Sequence, residues 1–296
     1  MVNYKVIQMH GKTFYWASKF MDKKLIEPIY AIYEMCREID DMVDENNNLD
    51  AKKEIEKLKK NLSITTLKKR FNCLKKIDKK KFPRNEYLKE FILGQESDIE
   101  FKQPKSINEL LKYCYRVAGV VGLMVCDAVE IKDKNMKYFA IDLGIGMQLI
   151  NIIRDIKEDA ENKRVYIPVN LIGQVDPDDV LNNQQVIKKI DIEKKKILKI
   201  AENYFNSANY AIRFLPNNIS TCFGLASKLY QAIGIKILKK EKSYIEGRVY
   251  LNNFEKIFIT LSYYLNSKKE FNYHPVHNNM LHLPIKNSPS VDGSNV

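Results

Sequence analysis

The chain has 296 residues, 45% of them hydrophobic, and a formal net charge of +12 from 49 Lys and Arg against 37 Asp and Glu. That length and apolar content exclude a disordered chain or a small disulfide-stapled module, and they suffice to bury a sizeable core in one large domain or two small ones. With only 11 Gly and 9 Pro, apolar positions recurring at three and four residues, and no short solenoid repeat, an all-α protein is expected.

The first stretch, MVNYKVIQMHGKTFYW, has neither the apolar core of a signal peptide nor the Arg/Ser-rich pattern of a transit peptide. A cytoplasmic protein is therefore expected, and the five scattered cysteines, Cys36, Cys73, Cys114, Cys126 and Cys222, read as reduced core residues. His10, Lys12 and Thr13 precede the aromatic cluster Phe14, Tyr15 and Trp16. Such a segment can simply start a helix, or it can close over an anion with its hydroxyl and ammonium groups. Next, LIEPIYAIYEMCREIDDMVDENNNLD sets Tyr33, Arg37, Asp40 and Asp44 at steps of four, three and four, so they share one helix face. Asp41 lies beside them, Ile32, Met35, Cys36 and Ile39 offer core contacts on another face, and NNNLD ends the pattern.

Much of the positive excess lies between residues 52 and 89, in runs such as KKIDKKKFPR. Aromatics are thin there and no nucleic-acid motif accompanies them, so nucleic acid is not an expected partner. A solvated helical hairpin is the plain reading, with peripheral attraction to a membrane surface the next. FILGQESDIEF and KSINELLKYCYRVAGVVGLMVCDAVE continue the helical period, and Ser106 with Glu109 reads as a capping box. Gly119 and Gly122 cost helical stability. They make sense where a helix bends, packs closely, or leaves room beside a cavity.

Asp133 can cap a long central helix and Pro168 can help to stop it. Its apolar run, residues 138–153, is broken by Asp142 and Gln148 and is too short to span a bilayer. The segment GIGMQLINIIRDIKEDAENKRVYIP places Asp155 and Asp159 four residues apart, with Asn151 and Gln148 on the same face. Leu149, Ile150, Ile152, Ile153 and Ile156 occupy the other faces. One such polar stripe is most simply a solvated face. Two, each ending in an Asp-x-x-x-Asp pair with an arginine close by (Arg37, Arg154), point to more. Stacked carboxylates raise one another's pKa unless a positive charge lies between them, and a hard oxygen-seeking cation such as magnesium (Mg2+) is the economical answer. Facing across a bundle, the stripes would form an oxygen-lined cup suited to a diphosphate, whose departure from an allylic carbon leaves a cation that apolar walls shield from water.

VDPDDVLNNQQ reads as a loop, after which two long segments resume the helical period. Tyr230, Arg248 and Lys256 there are candidate anion contacts. The tail, residues 266–296, loses periodicity, is expected to be disordered in part, and carries His274, His277 and His282 without metal spacing or evident partners.

HGKTFYWAS, YAIYEMCREIDDMVDE, YCYRVAGVVGLM and GIGMQLINIIRDIKEDAENKRVYIP together resemble the squalene and phytoene synthases, which join two prenyl diphosphates head to head. The resemblance implies an isoprenoid synthase fold, a single helical bundle around a central cavity over residues 1–265. It implies catalytic roles for Tyr33, Arg37, Asp40, Asp44, Asp155 and Asp159, with Asp40, Asp44, Asn151, Asp155 and Asp159 holding magnesium, for which manganese could substitute. His10, Lys12, Thr13, Arg37, Gln148, Arg154, Tyr230 and Arg248 would line the diphosphate site, and Tyr113, Val117, Val121 and Gly122 the cavity wall. The implied reaction passes through a cyclopropyl diphosphate. Geranylgeranyl diphosphate giving phytoene is favoured because small Ser18 follows the aromatic cluster, where relatives using farnesyl diphosphate carry a bulky aromatic. Tyr30 is the counterargument, and dehydrosqualene or squalene is the alternative product. No dinucleotide-binding glycine fingerprint appears, and NADPH is not expected. A monomer or weak dimer is expected, and the rival of another class is a non-catalytic helical assembly factor.

Overall fold

The computed structural model describes residues 4–44, 48–239, 243–266, 275–286 and 288, and these form helices and turns, with no strand among them. Helices α1 (Tyr4–His10), α2 (Lys12–Ser18) and α3 (Lys23–Asp44) lead into the basic region, α4 (Asn48–Lys60) and α5 (Ile64–Arg70), and then α6 (Asn85–Glu96). The basic region is not a simple hairpin: α4 packs on α3 and α6 through buried Ala51, Ile55 and Leu58, with Lys59 Nζ meeting Glu96 at 2.9 Å and Lys52 meeting Glu100 at 3.1 Å, whereas α5 packs mainly on the 3-10 turn Asn72–Lys76 that follows it. Exposed pairs of this kind contribute little to stability. The expected core face of α3 is buried through Ile32, Met35, Cys36 and Ile39.

After α7 (Ile107–Cys114), residues Tyr115–Gly119 widen into a π-helical turn that continues as α8 (Val120–Ala128). Ser106 caps α7 by accepting the Glu109 N–H at 3.3 Å, while the Glu109 carboxylate reaches the Lys105 N–H at 2.7 Å rather than that of Ser106. Asp133 caps α9 (Lys134–Arg154) by accepting the Met136 N–H at 2.9 Å. Helix α9 is the centre of the bundle, packed on α8, on the π-helical turn and most extensively on α13 (Gln184–Ile212), with α14 (Asn217–Lys239) also against it. Ile141, Ile145, Leu149, Ile152 and Ile153 are all buried, each stabilising the fold by about 1.5–3 kcal/mol. Among the described residues α9 alone is long and apolar enough to cross a membrane, by length and composition. Its apolarity answers instead to helices packed on several sides, with more than half of that window buried inside the protein.

The crossing of α8 and the π-helical turn with α9 settles the role of one of the two glycines. A Cβ on Gly122 would overlap the Ala140 carbonyl oxygen, and one on Gly144 would overlap that of Ala118. Close approach of backbones is therefore what Gly122 serves, and it also lines the cavity described below. Gly122→Ala is expected to cost about 1–3 kcal/mol, read as a lower urea midpoint.

The central helix does not continue to Pro168. It breaks at Asp155 (φ −107°, ψ 13°), although the Asp159 N–H still bonds to the Asp155 carbonyl at 2.8 Å, and α10 (Ile156–Glu161) follows at a new angle set by that residue. Pro168 instead precedes α11 (Val169–Ile172), and the expected loop contains a short helix, α12 (Pro177–Asn182). The last α-helix among the described residues is α15 (Asn253–Asn266).

The tail corrects the expectation further. Residues Asn279–Ile285 form a 3-10 turn docked on α7. Asp142 of α9, fully buried, accepts hydrogen bonds from His277 Nε2 at 2.8 Å, His282 Nε2 at 2.8 Å and Ser207 Oγ at 2.5 Å. Burial alone would raise the Asp142 carboxyl, but the bonds and charge from His277 and His282 hold it below its ordinary range. The two histidines thus have partners far away in sequence. His274 and the end of the tail, where disorder was expected, lie outside the described residues.

Candidate active site

Helices α3 and α9 run along opposite sides of one cavity of about 1020 Å³. On α9 the lining residues Met136, Phe139, Ala140, Leu143, Met147 and Asn151 recur at helical spacing, and Asp155 follows where the helix breaks. From Met136 to Asp155 the stripe spans about 28 Å at 1.5 Å per residue. On α3 a matching stripe runs from Ile29 through Ile32, Tyr33, Cys36, Arg37 and Asp40 to Asp44. Both stripes are apolar at one end and acidic at the other, so the cavity is an oily corridor with an acidic mouth. The π-helical turn carries Val117 and Ala118 into its side, with Val121 of α8 beside them. A widened turn at such a position is a frequent mark of a functional site.

All the residues expected at the site line this one cavity. His10, Lys12 and Thr13 come from α1 and α2, Tyr33, Arg37, Asp40 and Asp44 from α3, and Gln148, Asn151, Arg154, Asp155 and Asp159 from α9 and α10. Tyr113, Val117, Val121, Tyr230, Arg248 and Lys256 complete the set. Ser18 and Tyr30 do not belong to it. Both are buried, and their hydroxyls hydrogen bond to one another behind the wall, so Ser18 does not itself set the depth of the corridor.

The acids at the mouth are crowded. Asp40 is a third exposed, but the space it faces is the cavity itself. Burial and then the neighbouring Asp44 push its carboxyl up to about 7, against the pull of Arg37 at 2.8 Å. Asp159 is raised well above the usual carboxylate range by burial, Asp155 and Glu158. Four guanidiniums fold over the cluster. Arg37 spans Asp40 and Asp41, Arg154 grips Asp155 at 2.6 Å, Arg248 reaches Asp155 at 2.8 Å and Glu158 at 2.9 Å, and Arg164 reaches Asp44 at 2.7 Å. Even with these four, Asp40 and Asp159 stay raised, first because they are buried and then because other acids crowd them. Asn151 adds an oxygen: its Oδ1 is buried and finds no partner among the described residues, while its Nδ2 donates to Gln148 at 3.3 Å. Carboxylate oxygens beside an unpartnered amide oxygen suit magnesium.

Three participants were missed. Asp98 at the end of α6 is buried and accepts from Tyr113 Oη and Tyr166 Oη, each at 2.9 Å, while the two rings stack at 4.9 Å. Burial raises Asp98 to about 6, despite Arg164 and the two hydroxyls. Tyr113 is therefore a polar clamp on an acid as well as part of the wall. Phe91, Gln95 and Asp98 follow at steps of four and three, the signal that could have found Asp98. Tyr166 and Arg164 lie past the helix, where no periodicity marks them.

The profile of the squalene/phytoene synthase family matches residues 7–255. The 15-cis-phytoene synthase of Enterobacter agglomerans is 26% identical over 270 residues, covering 86% of this chain and 92% of that one. The phytoene synthase of Rhodobacter capsulatus is 27% identical, covering 86% and 78%. Among solved structures, a dehydrosqualene synthase superposes with a TM-score of 0.73 at 23% identity, over 89% of this chain and 95% of its own. A squalene synthase from Alicyclobacillus acidocaldarius does so at 0.65 and 18%, over 80% and 91%. The shared architecture is the all-α isoprenoid synthase fold. With the family profile running from the first helix into the last, the chain belongs to the squalene/phytoene synthase family, whose members are prenyltransferases.

Proposed function

We propose that this protein condenses two prenyl diphosphates head to head through a cyclopropyl diphosphate, with geranylgeranyl diphosphate as substrate and phytoene as product. The observation that carries the reading is the polarity of the corridor, acidic at one end of two facing helices and apolar along the rest. Magnesium held by Asp40, Asp44, Asn151, Asp155 and Asp159 would neutralise the diphosphate as it leaves. Arg37, Arg154 and Arg248, which now cover the acids, can turn to the diphosphate oxygens, and Lys12 and His10 offer further donors at the rim. The prenyl chains lie along Val117, Val121, Leu143 and Met147, where water is excluded from the allylic cation. The choice of the longer substrate is supported by the length of the α9 stripe and by the phytoene synthases among the relatives. The second reading, farnesyl diphosphate to dehydrosqualene or squalene, draws support from Phe14 and Phe223, which bring aromatic bulk onto the wall with ring centroids 6.0 Å apart.

Incubation with each diphosphate, followed by product analysis, tests both readings. A C40 hydrocarbon formed without NADPH is expected; a C30 product alone would overturn the substrate, and no product from either would overturn the reaction. Chelation with EDTA is expected to abolish turnover, with recovery on adding magnesium or manganese.

A further inference from the structure

The tail turn on α7 and α9 buries its imidazoles more completely than its hydrocarbon. Val276, Met280 and Leu283 are 72%, 68% and 55% exposed, and of its large apolar side chains Ile285 alone is buried. His277 and His282, by contrast, are buried to 5% and 2%, and both converge on the fully buried carboxylate of Asp142. Taking a carboxylate and two imidazoles out of water is costly, and apolar side chains of similar volume would usually hold a segment at least as well. A bound cation reverses that balance, because it uses the lone pairs that hydrocarbon lacks.

The donor set is that of a divalent transition-metal site. His277 Nε2 lies 2.8 Å from Asp142 Oδ2 and His282 Nε2 lies 2.8 Å from Asp142 Oδ1, so the three side chains are close enough together to hold one ion. Ser207 Oγ, 2.5 Å from Oδ2, is a further oxygen at the same place. Behind the ligands His277 Nδ1 faces Asn279 Oδ1 at 3.1 Å. That acceptor keeps a proton on Nδ1, which frees Nε2 to give its lone pair to an ion in place of donating to Asp142. The Phe139 ring lies 5.0 Å from the His277 ring, and Tyr138 lies 5.4 Å from His277 and 5.5 Å from His282. These rings give the cluster the apolar shell that keeps water from a bound metal. Two imidazole nitrogens and a carboxylate suit zinc, whereas magnesium favours a shell of oxygen. The acidic mouth is a separate place: along α9, Asp142 and Asp155 are about 20 Å apart at 1.5 Å per residue.

We propose that Asp142, His277 and His282 form a zinc site, apart from the acidic mouth, that staples the tail to α9. Two of the three ligands belong to the tail, so the ion can load before the tail docks and the buried site needs no channel. Metal affinity then becomes docking energy of the tail. The inference does not rest on the proposed reaction.

Elemental analysis of the full chain tests it, after loading with zinc and dialysis against zinc-free buffer with excess magnesium, which competes for the acidic mouth. The parent should retain about one zinc per chain. Asp40→Asn/Asp155→Asn should retain as much, and His277→Gln/His282→Gln should retain at least about tenfold less. Cobalt in place of zinc should give the visible bands of a nitrogen-ligated site. A melting curve of the parent makes the test independent of how the histidine variant folds: over the same magnesium, zinc at about a hundredfold above its Kd should raise Tm by about 5 °C. Four results would each overturn the proposal: no zinc on the parent, zinc lost from Asp40→Asn/Asp155→Asn but kept by the histidine variant, a cobalt spectrum of an all-oxygen site, or an unchanged parent Tm.

Discussion

Asp40→Asn is expected to lower product formation by about 10² to 10³-fold, with Asp155→Asn close behind, and to leave Asp40→Asn folded at least as stably as the parent. The two halves of that expectation have one cause. Burial and Asp44 hold the Asp40 carboxyl up at about 7, above its unfolded value, so at neutral pH the folded protein is penalised for ionising it. Asparagine removes the penalty and keeps the shape. A group that costs stability and whose removal costs activity is kept for function. Steady-state rates with each diphosphate, paired with a urea titration, check both halves. A fully active Asp40→Asn would remove Asp40 from the machinery.

Asp142→Asn is expected to have the largest effect on stability, about 3–5 kcal/mol, because it breaks a buried charged network and leaves its partners unpaired. The substituted amide points a donor where His277 Nε2, His282 Nε2 or Ser207 Oγ now donates to a carboxylate. The tail turn at Asn279–Ile285 should loosen first, since Asp142 and Tyr204, whose hydroxyl donates to the Leu281 carbonyl at 2.8 Å, are what tie it down. Limited proteolysis is expected to clip the variant near residue 275 while sparing the parent. The pH dependence follows from the direction of the shift. The carboxyl is held below its ordinary range in the folded state, so its contribution is complete above the unfolded carboxylate pKa and is lost as pH falls through the lower, folded value. The parent should therefore shed its tail at acid pH, and Asp142→Asn should lack that step. An unchanged urea midpoint would show that the clasp contributes nothing.

Both acid stripes were legible because each is local. Tyr33, Arg37, Asp40 and Asp44 share a face by helical spacing alone, and the same counting placed Gln148, Asn151 and Asp155 together. That counting failed at details that depend on partners. Asp159 reaches the mouth through a break at Asp155 that leaves no mark in the periodicity. Ser18 was given a role in substrate length from its size and place in a motif, yet its side chain turns to Tyr30 and away from the cavity. His277 and His282 looked unpartnered because their acceptor lies 135 and 140 residues earlier.

By itself the sequence determined the helical class, the two acidic stripes, the caps at Ser106 and Asp133 and the family, because period, capping and motif all act within a few turns of chain. Only the tertiary structure decided that the stripes face one another across an oily corridor, that Arg164 reaches Asp44 over 120 residues, and that Asp98 joins the cluster. It also decided that the tail is clasped to α9 and that α15 turns its apolar face outward. A hydrogen bond or an ion pair is chosen by proximity in space, and in a bundle of helices proximity is set by how ridges and small residues let the helices cross, which no single helix encodes.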